Sequence, residues 1–385
     1  MSPGVESFVS IYGIGRAMVD YYAEGCIDDG FMESVFCRLP DRLLPSKLGF
    51  PLHVDGEAFS FVLHAIARTP RCRLLKETGG TCLNILKTIA TLSPGSQCRF
   101  SGTLGSLGTT QAAWTTDNNH IERPLLDSPE DLEEMFFQRQ LTDYGIQSRL
   151  RLQEGHTGRC LVLSGATAST QLPLPAQSWL ALASPAVAPE ILPEQVEQSW
   201  LEECDWLVAE GMELDKEWFC QLLAQSKRRL VLACGTPFGA VRAAAFLKGL
   251  GRTQRQVLVL ANDAEARVLE QHGVAIRKAS RQGLLFVITH GSDGSSAYFD
   301  GERLFVPAEP LPAEGIVDAT GAGDVFAGAL ISRLIQEENQ LAPQKIIAAM
   351  EFASMTACRI LQAPLCSVSA LRHIRAGQAA GPPIF

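Results

Sequence analysis

The sequence predicts an α/β fold: a central, mostly parallel sheet covered by helices on both faces in three α/β/α layers, plus a small β lid. Three observations carry this expectation. Short apolar runs without polar alternation recur through the second half of the chain. Each is separated from the next by a stretch of helical periodicity, as expected for parallel strands buried under crossover helices. A glycine-rich string also stands directly before an apolar helix near the C-terminal end, the arrangement of a helix N-terminus that receives an anion.

The elements follow in order. An apolar run over 8–14, ending in Gly13-Ile14-Gly15, reads as a buried strand. Residues 30–50 carry short mixed patches and the prolines Pro40 and Pro45, which read as irregular or edge structure. Leu83, Leu86, Ile89 and Ala90 share one helical face, and Ser93-Pro94-Gly95 ends that helix. The polar, turn-rich stretch 114–134, with Asp117-Asn118-Asn119 and Asp127-Ser128-Pro129, reads as a surface loop or lid extension. After Gly155, apolar runs at 160–163, 230–233, 257–260 and 284–288 alternate with helical stretches near 194–204, 215–227, 238–250 and 263–271. Helices over 325–336 and 344–361 complete one domain spanning 1–385, with a lid formed by parts of about 20–50 and 100–135.

Composition excludes several classes. Of 385 residues, 46% are hydrophobic and 19% charged, enough to bury a sizeable core. The net charge of −9, without a Lys/Arg-rich run, argues against a nucleic-acid partner. Eleven cysteines without a C-x-x-C pair point to reduced thiols and a cytoplasmic setting. The seven histidines form no H-E-x-x-H pattern. The N-terminal residues lack the character of a signal peptide, and no apolar stretch approaches the roughly 18 residues of a membrane span.

Chemistry concentrates in Asp318-Ala319-Thr320-Gly321-Ala322-Gly323-Asp324. Glycines before a helix leave backbone amides unpaired and aimed at one spot, where the helix dipole favours a phosphoryl group. Asp324, in the first turn, is placed to take a proton from an attacking hydroxyl; an N-terminal carboxylate with a purely structural role is the alternative. The string is not a P-loop, because no Gly-Lys-Ser/Thr follows.

This string resembles the C-terminal signature of the ribokinase-like (PfkB) family of carbohydrate and nucleoside kinases. Gly79-Gly80-Thr81-Cys82-Leu83-Asn84 resembles its N-terminal Gly-Gly signature, and Gly13-Ile14-Gly15 with Asp20 its opening strand and substrate aspartate. Asn262-Asp263-Ala264-Glu265 resembles its N-x-x-E motif, and Thr289-His290-Gly291-Ser292-Asp293-Gly294 its nucleotide-binding turn. The resemblance spans about residues 8–367 and implies the ribokinase-like fold and a kinase using ATP and Mg²⁺, with a small sugar or nucleoside as acceptor.

The resemblance also implies roles. Asp324 is the base, and the amides from Gly321 through Ala322 and Gly323 form the anion hole. Asp20, Gly79, Gly80 and Asn84 bind the acceptor. Asn262 and Glu265 hold Mg²⁺ largely through water, with helix capping as the competing role. Thr289, Gly291, Ser292, Gly294 and Thr320 contact the nucleotide. Asp318 corresponds to a position that binds a monovalent cation, such as K⁺, in some members; a turn cap is its alternative. Strings such as Gly13–Asp20, Thr157-Gly158-Arg159 and Glu210-Gly211 lean toward the adenosine-kinase-like branch. Departures are Arg16, where many relatives have Asn, a 105–108 segment without the usual Asp, and a longer 114–134 region. A homodimer is compatible with exposed lid strands. The rival readings are a catalytically silent paralogue that binds a nucleoside or sugar, and a Rossmann dehydrogenase. The dehydrogenase fails at the third glycine of G-x-G-x-x-G.

Overall fold

The computed structural model describes residues 8–24, 52–53, 56–69, 73–105, 133–154, 157–166, 178–184, 191–250, 256–311, 321–336, 341–362 and 368–372. The strands in chain order are β1 (Ser10–Ile14), β2 (Met18–Glu24), β3 (Leu52–His53), β4 (Arg73–Gly79), β5 (Gln97–Gly105), β6 (Gln147–Gln153) and β7 (Gly158–Ala166). They continue with β8 (Ser178–Ser184), β9 (Trp206–Glu210), β10 (Arg229–Ala233), β11 (Val257–Asn262), β12 (Leu284–Thr289), β13 (Ser295–Phe299) and β14 (Glu302–Val306). The helices are α1 (Gly56–Ala67), α2 (Thr81–Leu92), α3 (Glu133–Asp143), α4 (Gln198–Glu203), α5 (Glu217–Gln225), α6 (Pro237–Leu250), α7 (Asp263–Gln271), α8 (Ile276–Ser280), α9 (Ala322–Leu334) and α10 (Pro343–Leu361).

Nine strands form the central sheet in the order β14-β13-β12-β11-β10-β9-β1-β5-β6. The run from β12 to β6 is parallel, and the β12–β13–β14 edge is antiparallel. The strands are apolar throughout because both faces are covered. In β10, Leu230 and Leu232 pack into one layer with Phe219 of α5 and Ala243 and Ala244 of α6. Val231 and Ala233 point the other way, into the layer that holds Leu83 and Leu86 of α2, Leu330 of α9 and Met350 of α10. The expected three-layer α/β/α architecture is the one observed.

A second, five-stranded sheet runs β3-β8-β7-β2-β4. The 160–163 run, read from sequence as part of the central series, lies here, with β7 parallel to β2 and antiparallel to β8. Its apolar character has the same origin, since α1 packs on this sheet: Tyr21 of β2 meets Phe59 of α1, with ring centres 6.1 Å apart. The helical stretch near 194–204 divides into a 3₁₀ turn at Pro193–Gln195 and the short α4. Residues 97–105, within which the expected lid segment begins, form a strand of the central sheet. The 30–50 stretch lies outside the described residues, as does 114–132; residues 133 and 134 open α3.

Candidate active site

Four elements end at one place. The parallel strands β1 and β9 point their C-terminal ends toward the N-termini of α2 and α9, and β2 and β4 of the second sheet close over them. Gly321 caps α9 in the left-handed region, with φ 77°, and its carbonyl accepts the first helical bond from Val325 N at 2.9 Å. The amides of Ala322, Gly323 and Asp324 are therefore the donors of the first turn that no helical carbonyl satisfies. Gly323 is exposed at this end, so the turn is open to a ligand.

Asp324 is half-buried in that turn, and its Oδ2 accepts a hydrogen bond from Asn84 Nδ2 at 3.1 Å. Loss of hydration pushes its pKa up to about 6, while the Asn84 bond and the charge of Lys87 lower it. Asn84 is buried in the first turn of α2, on the helix whose N-cap, Gly80, has φ 105°.

Asp20 stands on β2 opposite Glu77 of β4, and Met18 opposite Gly79. Its carboxylate lies against the Gly79 backbone: a Cβ added there would fall 1.9 Å from Asp20 Oδ2. Burial raises the Asp20 pKa to about 7; Lys87 and Asn84 lower it, and Asp324 and Glu77 raise it. The sequence-derived Asp20, Gly79, Gly80, Asn84, Gly321, Ala322, Gly323 and Asp324 are thus brought together.

Two charged groups here were given no site role from sequence, Glu210 having entered only through the Glu210-Gly211 string. Lys87, three residues beyond Asn84 on α2, is buried and donates from Nζ to the Thr78 carbonyl at 2.5 Å. Glu210, at the end of β9, accepts the Cys82 amide at 2.8 Å, and burial lifts its pKa to about 8. The available signal was a single charge inside an otherwise uncharged helix sequence, 81–92. Arg16, noted as a departure, pairs through Nε with Glu213 Oε1 at 2.6 Å, and Glu213 also holds Lys216 at 2.8 Å.

At the start of α7, Asn262 and Glu265 form a reciprocal capping box. Asn262 Oδ1 accepts the Glu265 amide at 2.9 Å, and Glu265 Oε2 accepts the Asn262 amide at 3.0 Å. The capping role weighed for this motif is real, and it occupies one oxygen of each side chain. Thr289 ends β12 beside Asn262 in register. Gly291 and Ser292 lie exposed in the 3₁₀ turn Gly291–Asp293. Gly294 passes so close to β14 that a Cβ would sit 2.2 Å from the Val306 carbonyl oxygen, a packing reason for glycine there. His290 braces this turn, with Nδ1 2.7 Å from Asp263 Oδ1 and Nε2 2.8 Å from Ser296 Oγ. Asp318 and Thr320 lie outside the described residues. A cavity of about 740 Å³, bounded by Pro307, Glu309, Arg333, Lys345, Phe352 and Met355, opens beyond β14; none of the sequence-derived site residues lines it. Among the described residues no helix is long and apolar enough to cross a membrane.

Known proteins share this fold. The fold aligns with a probable sugar kinase from Rhizobium etli at 17% identity and TM-score 0.66, covering 96% of this chain and 98% of that one. It aligns with adenosine kinase from Sinorhizobium meliloti at 18% identity and TM-score 0.66, covering 97% and 100%. Adenosine kinase from Schistosoma mansoni in complex with 2-fluoroadenosine aligns at 17% identity and TM-score 0.67, covering 93% and 96%. In sequence, 53 residues are 43% identical to Adenosine kinase 2 of Arabidopsis thaliana, a match covering 14% of this chain and 15% of that protein. The pfkB family carbohydrate kinase model matches residues 130–372, which include the α9 N-terminus with Asp324, the capping box and the 289–294 turn. With the family match extending over more than half of the sequence, the chain belongs to the pfkB family of carbohydrate kinases.

Proposed function

We propose that the chain transfers the γ-phosphoryl group of ATP to a hydroxyl of a small nucleoside or sugar, with Asp324 as general base. The observation that carries this reading is the Asn84–Asp324 hydrogen bond at the mouth of an open helix N-terminus, beside a carboxylate, Asp20, pressed on a glycine pair. Two carboxylate oxygens on Asp20 suit two neighbouring hydroxyls of a ribose-like ring. Asn84 orients Asp324 through Oδ2, which leaves Oδ1 to accept the proton of the attacking hydroxyl. The amides of Ala322, Gly323 and Asp324 face the charge that develops on the transferred phosphoryl oxygens. The second sheet, which carries Asp20 on β2, covers the cleft and excludes water, so that the bound alcohol attacks.

Bound Mg-ATP supplies the phosphoryl group and the divalent charge. The residues fit a hydrated ion: Glu265 raises the proton affinity of Asp324, a repulsion that a divalent ion held through water by Asn262 and Glu265 would offset. The capping box leaves Glu265 Oε1 available toward such water.

The adenosine kinases among the structural neighbours support a nucleoside as the first acceptor to test. ADP release by the purified protein with Mg-ATP, across adenosine, other nucleosides, ribose, fructose and keto-deoxy-sugar acids, is the experiment. Turnover on one acceptor, abolished in Asp324→Asn, supports the reading. Binding of a nucleoside or sugar without ADP release from any acceptor supports the silent paralogue instead.

A further inference from the structure

Lys87 is the one charged residue between Thr81 and Leu92, and it is 1% exposed. Besides the Thr78 carbonyl, its Nζ has the Tyr144 ring, 5.6 Å to the centre. An ammonium buried with so little hydrogen bonding is costly unless opposite charge surrounds it. Burial lowers the Lys87 pKa, and three carboxylates oppose that loss of charge: Glu77 on β4, Asp20 on β2 and Asp324 on α9. The geometry is dictated by the fold. Lys87 lies one helical turn beyond Asn84, which holds Asp324, and Asp20 and Glu77 are cross-strand partners in the sheet above.

We infer that Lys87 is a positioning residue for phosphoryl transfer, the shared buried counter-charge that keeps the acceptor-holding Asp20 and the base Asp324 ionised together. The inference rests on the roles proposed above for those two residues. Two carboxylates facing one poorly hydrated cleft repel each other, and one would take up a proton. A protonated Asp324 cannot accept a proton from the substrate, and a protonated Asp20 presents one acceptor fewer. Lys87 opposes both losses without touching substrate. Other ionisable groups bear on the cluster. Glu265 adds negative charge near Asp324, whereas Glu210, lifted by burial to about 8, and Cys82, also raised by burial, hold their protons near neutral pH. Tyr144, also raised by burial, has Arg372 4.7 Å from its ring centre, and Ser369 donates a hydrogen bond to Glu77.

The test is the pH dependence of kcat/KM in the full chain carrying Lys87→Met, Lys87→Arg or Glu77→Gln. Lys87→Met is expected to move the acid limb upward by about one pH unit, an approximately tenfold loss on the acid side that narrows at high pH. Lys87→Arg, which keeps the charge, holds the limb near its original position. Glu77→Gln, which removes a repelling carboxylate, moves the limb downward. A folded Lys87→Met protein whose activity falls equally at every pH overturns the inference, since that is the mark of a packing defect. Should Lys87→Met not fold, an unmoved limb in Glu77→Gln overturns it equally. Asp324→Asn, run in parallel, separates the two levels: turnover surviving there removes the base assignment, whereas its loss with unmoved Lys87 and Glu77 profiles removes only the role of Lys87.

Discussion

Asn84 on α2 and Asp324 on α9 are joined by a 3.1 Å hydrogen bond across 240 residues of sequence. In the proposed mechanism, the bond fixes which carboxylate oxygen of Asp324 is left for the substrate and ties the acceptor side of the cleft to the phosphoryl side. Asp324→Asn is expected to lower kcat by about 10²–10⁴-fold, the usual contribution of a positioned base. ATP affinity by calorimetry should stay near wild type, because the first-turn amides remain. Near-normal turnover in this variant would remove Asp324 from the role of base.

Asn84→Ala removes a bond that lowers the Asp324 pKa. The base acts in its ionised form, so wild-type activity should rise with pH through about 6 to 7, where Asp324 and Asp20 titrate. In Asn84→Ala that rise should shift to higher pH, with kcat reduced even on the plateau because the carboxylate is no longer oriented. A plateau equal to wild type, measured as initial ADP release across pH, would show that orientation by Asn84 is dispensable.

Gly79→Ala tests the close approach of Asp20. The new Cβ would lie 1.9 Å from Asp20 Oδ2 and 2.1 Å from Cγ, so the carboxylate has to leave its position. The acceptor KM should rise at least tenfold while the ATP KM changes little. Equal changes in both would point to a general distortion of the site.

Legibility from sequence differed by element. The β10, β11 and β12 runs were readable because burial on both faces leaves no polar alternation, and α2 because its apolar stripe ends at Ser93-Pro94-Gly95. The assignment of 160–163 to the second sheet was not, since a strand under α1 is as apolar as one in the central sheet. The edge strand β6 alternates, with Arg149 facing Glu197 and Arg151 donating to Glu194 at 2.9 Å, and its polar residues conceal it. In the site, glycines and carboxylates within a motif were visible. The site roles of Lys87 and Glu210 were not, because their meaning comes from which strands and helices converge on them.

Asn262 and Glu265 carry two roles that substitution can separate. Asn262→Ala removes an N-cap and should cost about 1 kcal/mol of stability, read in thermal or urea unfolding. Glu265→Gln keeps a side chain able to complete the capping box but removes the charge, so stability should hold. If Glu265 supports a hydrated divalent ion, the Mg²⁺ concentration for half-maximal ADP release should rise several-fold in that variant. An unchanged Mg²⁺ requirement would confine Glu265 to capping.

Glu210 offers a prediction about stability with a definite sign. Its pKa is about 8 in the folded chain against an ordinary value of 4.5, so between these limits the folded state holds a proton that the unfolded state has released. The stabilisation linked to that proton is fully present below about pH 4.5 and is lost as pH rises through 8. Glu210→Gln removes the titration and keeps a side-chain oxygen that can accept the Cys82 amide, bonded to Glu210 at 2.8 Å. The melting temperature of the variant should therefore exceed that of wild type by a margin that grows from pH 5 to pH 9. A margin that is flat with pH, or that shrinks, would mean that Glu210 is ionised in the fold throughout, with Arg16 and the α2 N-terminus together meeting the cost of its burial.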